Sequence, residues 1–140
     1  MADLTIGTVT LLDNAGMQPV MVEVGEAVSA FQPLYLDTSG STPVYSLADA
    51  SDTAKDEVEG ICYSDSADGG TGLLLPQGTR VDLGSILTKG VTYCLSTNAG
   101  KIAPQSDLTT GDAVVPLFWA ETDSIAYIYI VNPATTIILD

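Results

Sequence analysis

The chain has no histidine, only four lysines and arginines against eighteen aspartates and glutamates, two cysteines, one tryptophan and two phenylalanines. Without histidine the commonest general base and the commonest metal ligand are missing, and most hydrolase mechanisms go with them. The four cations, Lys55, Arg80, Lys89 and Lys101, are scattered, and the net charge is −14. Phosphates and anionic lipid headgroups are bound by clustered Lys and Arg, so the expected partners include no nucleic acid and no membrane. No apolar run approaches the roughly 20 residues of a spanning helix. The opening Met1-Ala2-Asp3-Leu4 also lacks the basic start of a signal peptide. Cys62 and Cys94 have no spacing that pairs them, and they read as buried, reduced thiols made in a reducing compartment.

Sequence signatures of chemistry are equally sparse. There is no Gly-x-Ser-x-Gly elbow, and Gly69, Gly70 and Gly72 fit neither the dinucleotide nor the P-loop spacing. Glu57 with Glu59, and Asp65 with Asp68, are carboxylate pairs of the kind a glycosidase uses. Any acidic surface offers such pairs, and an enzyme is not expected. The oxygen-rich stretches Asp49, Asp52, Asp56 and Asp65, Asp68 raise calcium, but no twelve-residue EF-hand loop is present. They read as solvated loops, so neither a metal nor another cofactor is expected.

What the chain does contain is strand and turn. Expected strands are Val20–Val24, Pro33–Thr38, Val44–Leu47, Val58–Tyr63, Gly72–Leu75, Thr79–Leu83, Val91–Ser96, Ala113–Ala120, Ile125–Val131 and Thr135–Leu139. Turn formers such as Asp37-Thr38-Ser39-Gly40, Asp68-Gly69-Gly70 and Thr97-Asn98-Ala99-Gly100 separate them. The one helix candidate, Leu47–Val58, has a poor apolar stripe and reads as a loop with at most one helical turn. This spacing predicts an all-β protein, an antiparallel sandwich or barrel.

An internal repeat organises the pattern. Val22-Glu23-Val24-Gly25-Glu26-Ala27-Val28-Ser29 matches Val81-Asp82-Leu83-Gly84-Ser85-Ile86-Leu87-Thr88 position by position, 59 residues later. The register continues from Leu34-Tyr35-Leu36-Asp37-Thr38-Ser39 into Tyr93-Cys94-Leu95-Ser96-Thr97-Asn98. Residues 22–140 are therefore expected to form one β-domain of two pseudo-repeats, 22–80 and 81–140, closing a shared core.

Residues 1–21 stand outside the repeat. Leu4, Ile6, Val9, Leu11 and Leu12 make them too apolar for a solvated tail. They are either an edge strand of the same domain or an extended N-terminal arm that lies on a neighbouring chain. Ile125–Val131 is apolar on both alternating faces, so it is either central in its sheet or covered by a partner. On the partner readings the interface residues would be Leu4, Ile6, Val9 and Leu11 in the arm, with Tyr127 and Tyr129 in the hairpin.

One stretch carries a family resemblance. Gly25-Glu26-Ala27-Val28-Ser29-Ala30-Phe31-Gln32-Pro33-Leu34-Tyr35-Leu36-Asp37 resembles a recurring segment of small β-rich virion proteins of tailed bacteriophages, the capsid decoration or cement proteins. So do Glu59-Gly60-Ile61, Tyr93-Cys94-Leu95-Ser96, Gly100-Lys101-Ile102-Ala103-Pro104 and Leu108-Thr109-Thr110-Gly111-Asp112. The resemblance spans roughly residues 22–131, and similar runs occur in phage fibre and tail proteins. It implies a non-enzymatic protein made in the host cytoplasm and carried on the outer capsid surface of the virion. There it would bind the major capsid protein and itself, as a trimer at threefold and quasi-threefold axes, and stabilise the shell. The alternative is a fibre or tail component that binds a host glycan or receptor.

Overall fold

The structure is a computed structural model and describes residues 3–13, 18–109 and 112–131, with the backbone of 137–138. Its strands are β1 (Thr10–Asp13), β2 (Val20–Glu23), β3 (Pro33–Asp37), β4 (Val44–Leu47), β5 (Gly60–Cys62), β6 (Thr71–Leu75) and β7 (Arg80–Asp82). They continue as β8 (Thr92–Leu95), β9 (Ile102–Pro104), β10 (Ala113–Val114), β11 (Pro116–Ala120), β12 (Ile125–Ile128) and β13 (Ile137–Ile138). A single 3-10 turn, Gln105–Asp107, is the only helical element among the described residues. Leu47 ends β4, and residues 48–58 form a loop with turns and no helix, as the weak apolar stripe predicts.

The repeat is visible as topology. The first half builds an antiparallel sheet in the order β2-β6-β5-β3-β4, and the second builds β7-β12-β11-β8-β9. Replacing each strand of the first order by its counterpart in the repeat gives the second. β1 then adds to the outer edge of β7, making that sheet six-stranded, and β10 and β13 form a separate two-stranded ribbon. The fold is thus an all-β sandwich of two antiparallel sheets.

Packing follows the repeat more closely than a single shared core would require. The five-stranded sheet curls until its outer strands meet. Val24, just past β2, bridges Tyr45 in β4, and the Gly25 N–H donates to the Tyr45 carbonyl at 2.9 Å. A Cβ on Gly25 would sit 2.6 Å from Val44 Cγ2, so this closure requires glycine. Inside the curl Val22, Val24, Val28, Leu34, Cys62 and Leu74 form a small cluster of their own. Their repeat counterparts Val81, Leu83, Leu87 and Tyr93 line the larger cluster, which contains Leu95, Ile102, Phe118, Ala120, Ala126 and Ile128. The first half contributes Phe31, Ala48, Ala50, Val58, Ile61 and Leu75 to that larger cluster. The larger cluster draws residues from both halves, and the first half holds a smaller cluster of its own beside it. The strand curl lets the first half bury one apolar face internally and press the other onto the second half.

Phe31 marks the junction. It is fully buried, has φ of +66°, and meets the Phe118 ring edge-on at 5.5 Å. Tyr93 stacks on the same Phe118 ring at 5.1 Å. A bulky side chain in the left-handed region is a costly backbone state, held here by close packing.

Candidate interaction surface

The N-terminal segment lies on its own domain. The Leu4 N–H donates to the Ile102 carbonyl at 2.7 Å, beside the edge strand β9. Asp3 accepts hydrogen bonds from Ser96 Oγ at 2.7 Å and Asn98 Nδ2 at 2.8 Å. Leu4, Ile6, Val9 and Leu11 are partly buried and pack against the larger core. Four candidate interface residues thus lie along the chain's own sandwich, with β1 as its edge strand.

Exposed apolar side chains cluster in sequence just beyond them. Leu12 is 50 % exposed, Val20 56 % and Met21 72 %, flanking residues 14–17 where β1 gives way to β2. Leu12 lies on the end strand of the six-stranded sheet and Val20 and Met21 on the end strand of the five-stranded one, where the two successive side chains point to opposite faces.

The other candidates lie on the outer face of the six-stranded sheet. β12 is central, between β7 and β11, and it turns Ala126 and Ile128 into the core. Its opposite face carries Ile125 and Tyr127, both half-buried. That accounts for the doubly apolar pattern: one face is core, and the other is half-covered by neighbouring strands. Tyr127 sits opposite Trp119 on β11 and Arg80 on β7. Its ring meets Trp119 edge-on at 6.4 Å, and the Arg80 guanidinium carbon lies 4.9 Å from its centroid. Arg80 Nε donates to Glu121 Oε1 at 2.7 Å. The chain Glu121, Arg80, Tyr127, Trp119 therefore fixes the indole by an ion pair, a cation–π contact and an aromatic contact. Beside it is an open cleft of about 330 Å³ lined by Thr92, Gln105, Pro116, Phe118, Trp119, Tyr129 and Val131. Trp119 falls within the expected strand Ala113–Ala120. Its neighbours Phe118 and Ala120 are buried, and strand alternation turns Trp119 outward.

The acidic loops are occupied by their own backbone. Asp49 Oδ1 accepts from the Ser51 N–H at 2.8 Å and Ser51 Oγ at 2.6 Å, and Asp52 Oδ1 accepts from the Ala54 N–H at 2.9 Å. Asp65 Oδ1 reaches the Ala30 N–H at 2.8 Å, tying two loops together. Hydrogen bonds from the Ser39 hydroxyl and N–H hold the Asp37 carboxyl below the usual carboxylate range. Tyr35 is shifted upward, first by burial and then by the charge of Asp37. Among the described residues no group of three or more Cys, Asp or Glu is arranged to hold a metal ion. Both cysteines are buried thiols, unpaired and in different sheets, and burial pushes Cys94 up to about 12. No helix among the described residues is long and apolar enough to cross a membrane.

No protein-family model, no curated protein and no solved structure matches the chain.

Proposed function

We propose that this protein is a non-enzymatic virion component that binds the outer surface of a tailed-phage capsid and stabilises it, as a homotrimer at threefold and quasi-threefold axes. The reading starts from the resemblance over residues 22–131. The structural observation that supports it is the exposure of Leu12, Val20 and Met21 on the end strands β1 and β2 of a strongly acidic chain. Charge keeps such a protein soluble before it meets the shell, and the apolar group supplies a contact that symmetry repeats. On this reading the docking surface is this group rather than Leu4, Ile6, Val9 and Leu11, which pack on the chain's own core.

The test is co-sedimentation of the purified full chain with capsids that lack it, beside light scattering of the free protein. Met21→Asp and Val20→Asp are expected to abolish sedimentation with the capsid while leaving the thermal midpoint within a few degrees. Equal occupancy by wild type and both variants would refute this docking surface. A wild-type chain that never sediments with capsids would refute the function.

A further inference from the structure

We propose that the cleft beside Trp119 is a binding site for a neutral hexopyranose, with Trp119 and Tyr129 as its stacking surfaces and Gln105 and Thr92 as its polar contacts. This inference does not rest on the capsid reading, because the outer face of β8, β11 and β12 carries it alone. Three features point to a sugar.

The first is shape. Phe118 and Pro116 contribute to an open cleft of about 330 Å³, the size of a small ligand site. The second is ring presentation. Trp119 is 45 % exposed and Tyr129 62 %, so both offer flat apolar surface to solvent. The apolar C–H face of a pyranose packs on such rings while its hydroxyls stay at the rim. There the Gln105 amide supplies donors and an acceptor, and the Thr92 hydroxyl supplies one of each. The third is rigidity. The Trp119 ring is held by Tyr127, which is held by Arg80, which is paired with Glu121. A pre-ordered ring loses little freedom on binding, which suits a weak, shallow ligand.

Charge selects among sugars. Arg80 is already committed to Glu121 and Tyr127, and the net charge of −14 repels sialylated, sulfated or phosphorylated glycans. The ligand is therefore uncharged.

Trp119 is the only tryptophan in the chain, so its fluorescence reports on this cleft without labelling. The experiment titrates the full-length protein, at fixed protein concentration, with glucose, galactose, mannose, N-acetylglucosamine and their neutral oligosaccharides. Sialyllactose is the anionic comparison. At least one neutral saccharide is expected to give a saturable blue shift or quench. Tyr129→Ala and Gln105→Ala, which keep the reporter, should each weaken that response about tenfold, the loss expected from one stacking surface or one buried polar contact. Gln105 is an exposed residue of the 3-10 turn, so that variant folds even if Tyr129→Ala does not. The proposal is overturned if no neutral saccharide changes the emission, if sialyllactose binds better, or if Gln105→Ala responds like wild type. It is also overturned if the emission shifts with protein concentration alone, since the face would then be covered by a second copy of the chain.

Discussion

Phe31 and Gly90 hold the same position in the two halves of the repeat, 59 residues apart, and both have positive φ, +66° and +84°. The turn that leads into β3 and the turn that leads into β8 therefore demand the same left-handed residue. In the second half glycine meets that demand freely. In the first half phenylalanine meets it, and its ring fills the junction between the halves. Left-handed backbone costs a non-glycine residue about 1–2 kcal/mol. Phe31→Ala should thus destabilise by about 3–5 kcal/mol through the lost ring. Phe31→Gly, which leaves a larger hole but relieves the backbone, should be the more stable of the two variants by about 1 kcal/mol. Urea denaturation of both variants checks the order. If Phe31→Ala proves more stable than Phe31→Gly, the backbone at 31 is not strained.

Gly25 and Gly84 are another repeat pair, and they are glycine for different reasons. Gly84 has φ of +74° with open space around it, whereas Gly25 faces Val44 Cγ2 at 2.6 Å and Ser46 Oγ at 3.0 Å from its ideal Cβ position. Gly84→Ala should cost about 1 kcal/mol by backbone strain alone. Gly25→Ala forces β2 and β4 apart and should cost about 1–3 kcal/mol by overpacking. The second loss should shrink when Val44→Ala is added, because the clash is with that side chain. A double-mutant cycle by chemical denaturation measures this, and strict additivity would mean that the closure of the first sheet has been misread.

The N-terminal segment offers a test of its own position. Asp3→Ala removes the acceptor of Ser96 Oγ and Asn98 Nδ2 and should lower stability by about 1 kcal/mol, with Asp3→Asn less damaging. Faster amide exchange at Leu4 should accompany it. Both effects should be independent of protein concentration, since the contacts are within one chain. Concentration dependence would place the segment on a neighbouring subunit.

Alkaline pH should find Cys94. Burial raises its thiol from the ordinary 9.0 to about 12, so the folded chain holds the proton where the unfolded chain releases it. Its stabilising contribution is complete below about 9 and is lost as pH rises toward about 12. Urea midpoints should therefore fall across that window, and less steeply in Cys94→Ala. The thiol should also resist iodoacetamide at neutral pH until the protein unfolds. Rapid alkylation of Cys94 in the native protein would contradict its burial.

Much of the fold was legible because strands announce themselves by alternation and turns by glycine. Val44–Leu47 begins and ends in the structure where the pattern places it, and the two pseudo-repeats are seen as two sheets of matching strand order. Ala113–Ala120 reads as one strand, yet it breaks at Val115 into β10 of the two-stranded ribbon and β11 of the six-stranded sheet, a change of sheet that an unbroken apolar run hides. β9, only Ile102–Pro104, is too short and ends in proline, so it carries no alternation to read. The expected strand end Thr135–Leu139 lies mostly outside the described residues, with β13 at 137–138. The Trp119 cleft was illegible for a different reason. Alternation shows that Trp119 and Phe118 face opposite ways, but not which way is out, and only the neighbouring strands decide that.

On the proposed function the chain stabilises an assembled shell. The direct measurement is the temperature at which capsids lacking this protein release their DNA, with and without purified wild-type protein or Met21→Asp added back. Wild type is expected to raise the release temperature in a saturable way, and Met21→Asp to leave it unchanged. A release temperature that wild type does not move, at concentrations where the shell is occupied or where no binding occurs at all, would contradict the account.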